Sequence, residues 1–270
     1  MALINKNNIN KFSPVGKNIS KLLKIKYDAI WNDPYFKKRF CNRKVKLGSK
    51  TEEWILERDK CKYSKTSAKS CKPDEIPCIE ISDKLSEGST LLFVGMNPSG
   101  ADKRYYKGNV NDVLIYPSGS PYYKAMAEFT KACLGNSDDF SELDLFGIVQ
   151  GTQSVIKKDF LENPDYYKEM FELFWKYVVV KVQPKVIVVA NALASSILRR
   201  DKSLKLNQTK YDNFYKSTYF SLAQNTLFGG YTLTAGKFTC QLYFSSMLSG
   251  QHALDKGSRE DLVWLVKNYL

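Results

Sequence analysis

The chain has 270 residues, 43% of them hydrophobic, which is enough for a sizeable core and excludes a disordered polymer. Forty-one Lys and Arg against 28 Asp and Glu give a net charge of +13, a surplus that fits a polyanion partner, most simply nucleic acid. Met1–Phe12 lacks the apolar core of a secretory signal, and the longest apolar stretch, Val186–Leu198, is too short and too interrupted to span a bilayer, so an intracellular protein (cytoplasmic, nucleoid or nuclear) is expected.

Residues 1–85 form a basic stretch, expected to be a partly helical N-terminal extension. Within it Ile19–Phe40 carries Leu22, Leu23, Ile25, Ile30 and Trp31 among lysines, a pattern that predicts an amphipathic helix interrupted at Asp33-Pro34. Glu52–Arg58 is expected as a second short helix and Tyr63–Pro77 as an irregular connection. Cys61, Cys71 and Cys78 fall here. Their gaps are too wide and irregular for a zinc pattern, no His is near, and thiols are expected for these and for Cys41, Cys133 and Cys240.

From residue 86 to 270 strands and helices alternate. Thr90–Val94 reads as a strand, Ser120–Leu134 as a helix and Leu145–Val149 as the next strand. Pro164–Val182 reads as one long helix with Phe171, Phe174, Trp175 and Val178 facing the core. Val186–Ala190 is a β-branched buried strand, followed by a helix over Ala192–Arg199 for which Asn191 is a natural cap. The polar and aromatic segment Asp201–Tyr231 has no clear period and is compatible with a surface excursion that packs near the site, a point its sequence leaves open. Phe238–Phe244 is a strand, and Ser258–Leu270 a closing helix with Ser258 as its N-cap. This alternation predicts an α/β domain: a mostly parallel central sheet with helices on both faces.

Each strand runs into small or polar residues: Gly95-Met96-Asn97-Pro98-Ser99-Gly100, Gln150-Gly151-Thr152, Asn191, and Ser245-Ser246-Met247-Leu248-Ser249-Gly250. In a parallel sheet such ends lie along one edge, where ligands bind. No dinucleotide or phosphate-loop glycine motif is present, and His252, the single histidine, has no partner placed to orient it in a hydrolase triad. Amides, hydroxyls and backbone N–H groups suit a flat polar ligand and a developing anion.

These segments resemble the uracil-DNA glycosylase superfamily. GMNPS at Gly95–Ser99 is similar to the first motif of its mismatch-specific and single-strand-selective branches, GINPG or GMNPG. LFGIVQGTQSVIKK, from Leu145, resembles the following strand, which ends in a base-reading amide. PKVIVVANALASSIL, from Pro184, resembles the third strand and helix, and YFSSMLSGQ, from Tyr243, the last motif, HPSPLS. YPSGSPYYKAM, from Tyr116, is similar to the stretch in which a stacking aromatic precedes a helix. The resemblance spans about Ser89–Leu270 and implies monofunctional removal of uracil or a related damaged base from DNA by a monomer without a cofactor.

Carried over residue by residue, it implies that Asn97 positions the attacking water, and that the backbone at Gly95 and Met96 receives charge developing on the base oxygen. Tyr116 would stack on the flipped base and Gln150 read its edge. Ser246, Ser249 and His252 would contact DNA, and Leu248 would fill the gap left in the stack. The last motif departs from the family: Phe244 stands where its histidine opens the motif, and Ser245 and Met247 replace its prolines. The water-activating aspartate of the efficient branch is also missing, since Asn97 occupies its place. Slow chemistry is therefore expected. The alternatives are a non-catalytic nucleic-acid-binding protein on the same fold and a nucleoside hydrolase, the latter leaving the positive charge unexplained.

Overall fold

A computed structural model describes residues 19–32, 44–47, 50–57, 60–65, 69–70, 79–96, 113–116, 121–148, 153–216, 220–249 and 253–270. In chain order these form α1 (Ser20–Asn32), β1 (Lys44–Leu47), β2 (Lys50–Glu57), β3 (Lys60–Lys65), β4 (Lys69–Ser70), β5 (Ile79–Ser82), β6 (Leu91–Gly95) and β7 (Val113–Tyr116). There follow α2 (Pro121–Leu134), β8 (Phe140–Asp144), α3 (Gln153–Glu162), α4 (Lys168–Leu173), α5 (Val180–Val182), β9 (Val186–Ala190), α6 (Ala192–Leu198), α7 (Gln208–Tyr215), β10 (Phe220–Gln224), β11 (Tyr231–Ala235), β12 (Phe238–Ser245) and α8 (Lys256–Tyr269).

The central sheet has six strands in the order β10-β11-β12-β9-β6-β8. β12, β9, β6 and β8 are mutually parallel, whereas β10 and β11 join antiparallel to β12. The sheet is thus mixed and mostly parallel, an α/β arrangement. Every residue of β6 and β9 is buried, and alternation sends their side chains to opposite faces. On one face Leu91, Phe93, Val186, Val188 and Tyr243 pack with Tyr123, Met126 and Phe129 of α2 and with Leu262 and Val266 of α8. On the other, Leu92, Val94, Ile187, Val189 and Leu242 pack with Phe160, Tyr167, Phe171 and Phe174. Ile19, Leu23 and Tyr27 of α1 belong to that second cluster, and Ile19 N–H donates to Leu85 O at 2.8 Å. The first helix of the basic N-terminal stretch is therefore built into the α/β core, and it stops at Asn32, one residue before Asp33-Pro34.

Several sequence expectations need correction. Glu52–Arg58 is not helical: residues 50–57 are β2, the centre of an antiparallel β1-β2-β3-β4 sheet whose register sets Glu52 opposite Lys65 and Glu57 opposite Lys60. Thr51, Trp54 and Ile55 suit a strand, and this overrides a short helical pattern. The second parallel strand is Phe140–Asp144 instead of Leu145–Val149. The apolar run after it is buried as loop, with Leu145 and Phe146 N–H donating to the Gly95 and Met96 carbonyls, each at 3.0 Å. The long helix expected over Pro164–Val182 is broken into a 3-10 turn at Pro164–Tyr166, α4, a π-helical stretch over Phe174–Val179 and α5. The wider π turn lets Phe174, Trp175, Val178 and Val179 all be buried.

The segment 201–231 is no surface excursion. It supplies α7 and β10 and the start of β11, and its aromatics enter the core: Phe220 stacks on Trp175 at 3.8 Å between centroids, and Phe214 meets Phe171 at 4.8 Å. The closing helix begins two residues early. Its cap is Asp255, which accepts from Ser258 N–H at 2.9 Å, so Ser258 is the residue capped and not the cap. Phe171, 1% exposed, sits among Trp175, Phe214, Tyr215 and Phe220. Phe171→Ala is expected to lower unfolding stability by about 3–5 kcal/mol, measured by urea denaturation followed by tryptophan fluorescence.

Candidate functional site

The four parallel strands all end at one edge of the sheet, and the chain passes from β6 to β8 on one side and to β9 on the other. This reversal falls between β6 and β9, the kind of position outside strand ends at which open α/β sheets bind ligands. Gly95 pairs with Asp144 and Ser245 with Ala190, so Asp144, Gly95, Ala190 and Ser245 form a row across the edge, one step past the Val94–Val189 pair. Two residues with little or no side chain lie between a carboxylate and a hydroxyl. The Asp144 carboxyl group lies directly over Gly95: a Cβ there would overlap it, with Asp144 Cγ at 3.2 Å and the Tyr122 hydroxyl at 3.5 Å. Only glycine permits this approach. At the far end of the row the Ser245 hydroxyl is buried and has no hydrogen-bond partner among the described residues. Leaving such a group unsatisfied costs about 1–3 kcal/mol, which marks the edge as polar by design.

Behind Asp144, on the same face of β8, lies Glu142, 4% exposed. The Tyr123 hydroxyl of α2 is 2.9 Å from Glu142 Oε2 and 2.9 Å from Ser82 Oγ at the end of β5. Burial pushes the Glu142 carboxyl up to about 7, against the pull of its Ser82 and Tyr123 hydrogen bonds. Burial, reinforced by Asp144, also raises the Tyr122 and Tyr27 phenols, which stay neutral. β7 pairs with β5 so that Tyr116 stands in register with Ser82, which brings the Tyr116 backbone to this cluster.

Of the residues expected to act, Asn97, Gln150 and His252 lie outside the described residues. Asn97 directly follows Met96, which is 1% exposed and points into the core, so Met96 can act only through its backbone. Gln150 does not end the second strand; Asp144 does. Phe244 packs against Tyr231, with ring centroids 5.3 Å apart, and the Arg199 guanidinium lies 5.2 Å from its ring centroid. Ser246 and Ser249 are half-buried in the loop after β12, which closes on itself through Leu254 N–H donating to Met247 O at 2.8 Å. Leu248 is the residue that departs most from its expected role. It is 4% exposed and packed in the core cluster beneath α2 and α8, so in this conformation it is core and cannot fill a gap in a base stack. Asn191 serves as the cap of α6, its side-chain oxygen accepting from Leu193 and Ala194 N–H at 2.9 and 3.1 Å.

Sequence reasoning missed Asp144, Glu142, Tyr122, Tyr123 and Ser82. The polar positions of FSELD break the apolar signal of a buried strand, and nothing local shows that Tyr123 and Ser82 complete it. Cys133 and Cys240 are buried free thiols pushed up to about 12 by burial. No cluster of metal-ligating side chains is found among the described residues, nor a helix long and apolar enough to cross a membrane. Compared with known protein families the chain matches no family model, and it matches no curated protein.

Two outcomes are expected from this geometry. Between about pH 4 and pH 7 the folded protein holds a proton on Glu142 that the unfolded chain has released, so this group's contribution to stability is full below that window and lost as pH rises through it. Glu142→Gln should flatten that part of the melting temperature against pH. Leu248→Ala should lower stability by about 2–4 kcal/mol in denaturant titration, whether or not DNA is present.

Proposed function

We propose that this protein is a monofunctional DNA glycosylase of the uracil-DNA glycosylase type, hydrolysing the N-glycosidic bond of uracil or a related damaged base in DNA. One observation carries the proposal: three of the segments that resemble the family's motifs lie on β6, β9 and β12, parallel strands that end at one edge, and the segment that resembles its second strand directly follows β8 at the same edge. The net charge of +13 supplies attraction to phosphates. A base inside a duplex is out of reach, so the target nucleotide is extruded at a cost of a few kcal/mol. Asn97 holds the water, backbone N–H groups at the Gly95–Met96 turn stabilise the base as it leaves with the bonding electron pair, and the hydroxyls of Ser246 and Ser249 contact the backbone.

A second reading, a non-catalytic nucleic-acid-binding protein on the same fold, is favoured by Phe244 in place of the motif histidine and by the burial of Leu248. Product analysis on oligonucleotides carrying single lesions separates the two. The glycosylase releases free base and leaves an alkali-labile abasic site, and Asn97→Ala removes most of that turnover while DNA affinity stays nearly unchanged. Absence of base release from every lesion, with binding intact, leaves the binding protein. In either case affinity for a labelled duplex is expected to fall steeply with salt, from a dissociation constant of about 10⁻⁴–10⁻⁶ M at physiological ionic strength.

A further inference from the structure

We propose that Asp144 is the general base of the reaction proposed above, on which this inference rests: it is the carboxylate that the first motif lacks, supplied from the neighbouring strand. Asn97 can orient a water but cannot take its proton, because a neutral amide has no basic site near neutral pH. A positioned general base contributes about 10²–10⁴ in rate, which makes its absence from the motif a real deficit. At the sheet edge, Asp144 is in register with Gly95, and its carboxyl group lies on the glycine face two residues before Asn97. It is half-buried, whereas Glu142 is 4% exposed.

The surroundings suit the role. Among the titratable groups near Asp144 are Tyr122 and Tyr123 from α2, Tyr27 from α1 and Glu142 on its own strand. The three phenols are raised by burial and by Asp144 itself, so they stay protonated and compete for no proton. Tyr27 is fully buried and its hydroxyl has no hydrogen-bond partner among the described residues, which adds a dipole and no charge. In the step itself the water oxygen bonds to C1′ of the deoxyribose while its proton passes to the Asp144 carboxylate. The C1′–N bond breaks, its electron pair leaves with the base, and the base takes a proton from solvent. Asp144 then returns its proton to water.

Gly95 follows from the same arrangement. Its missing Cβ is what lets the carboxyl group lie over the strand end, so the glycine of the first motif serves the acid of the second strand.

The test is single-turnover base release at saturating enzyme, across pH, on the oligonucleotide that the wild-type chain processes best. Asp144→Asn should lose about 10²–10⁴ in rate with unchanged DNA affinity, and the acid limb of the wild-type profile should vanish with it. Asp144→Glu should restore part of the rate and the limb. A wild-type profile with no acid limb overturns the inference, and this reading does not depend on any variant folding. An active wild type whose rate and pH profile survive Asp144→Asn overturns it too while leaving the glycosylase intact. Survival of the rate with a change only in which base is released makes Asp144 a reader of the base edge and equally overturns it. A wild type that releases no base removes the glycosylase and this inference together.

Discussion

The structure depends on the burial of β6 and β9 on both faces. The ten residues of these two strands, LLFVG and VIVVA, are all buried, so helices must cover the sheet twice over. Aliphatic side chains on both faces also leave no place for chemistry within the strands. Polar function is exported to the strand ends, where Gly95 and Ala190 keep the edge shallow and Asp144 and Ser245 bound it. The same requirement explains the composition of the helices. α2 and α8 serve one face and α1, α4 and the π turn the other, each offering a single apolar side.

What the sequence made legible follows from that constraint. A strand buried on both faces is a continuous apolar run, and Val186–Ala190 could be read without reference to anything distant. The same holds for the stripe Phe171, Phe174, Trp175 and Val178, whose core role was clear although the helix carrying it is interrupted by a π turn. Asn191 was readable as a cap because a cap is a local device. β8 was not readable in the same way. Its strand holds two adjacent polar residues, Ser141 and Glu142, between Phe140 and Leu143, and these polar groups are buried only because partners arrive from outside the strand: Ser141 meets Ser89 at 2.7 Å, and Glu142 meets Tyr123. The apolar LFGIV that follows looked more like a strand than the strand does. That one displacement moved the expected strand-end residue from Asp144 to Gln150, and with it the sequence view of the site.

The antiparallel pair β10 and β11 shows the same limit. Their segment is polar and aromatic without period, since β10 is an edge strand exposed along most of its length. Its position is fixed by Phe220 stacking on Trp175 and by Gln241, whose side chain is 1% exposed and donates to Gly229 O at 2.5 Å while accepting from Asn225 at 2.9 Å. Gly230, with φ of 66°, lies where a Cβ would come within 2.6 Å of Leu242 O, so the turn is fitted tightly to the strand beside it. None of these partners is near in sequence.

The place of α1 bears on how the protein is made. Ile19, Leu23 and Tyr27 leave the ribosome well before the residues that complete their cluster, Tyr167, Phe171 and Phe174, more than half the chain later. The helix's first partners come sooner, with Ile19 N–H bonded to Leu85 O and Ser20 Oγ to Ser82 O beside buried Ile81 and Leu85, and an isolated helix of 13 residues is marginal in water, so the cluster is complete only when Tyr167, Phe171 and Phe174 join it. Completion of this face therefore closes a long loop late in synthesis, which makes this contact slow to form relative to the local parts.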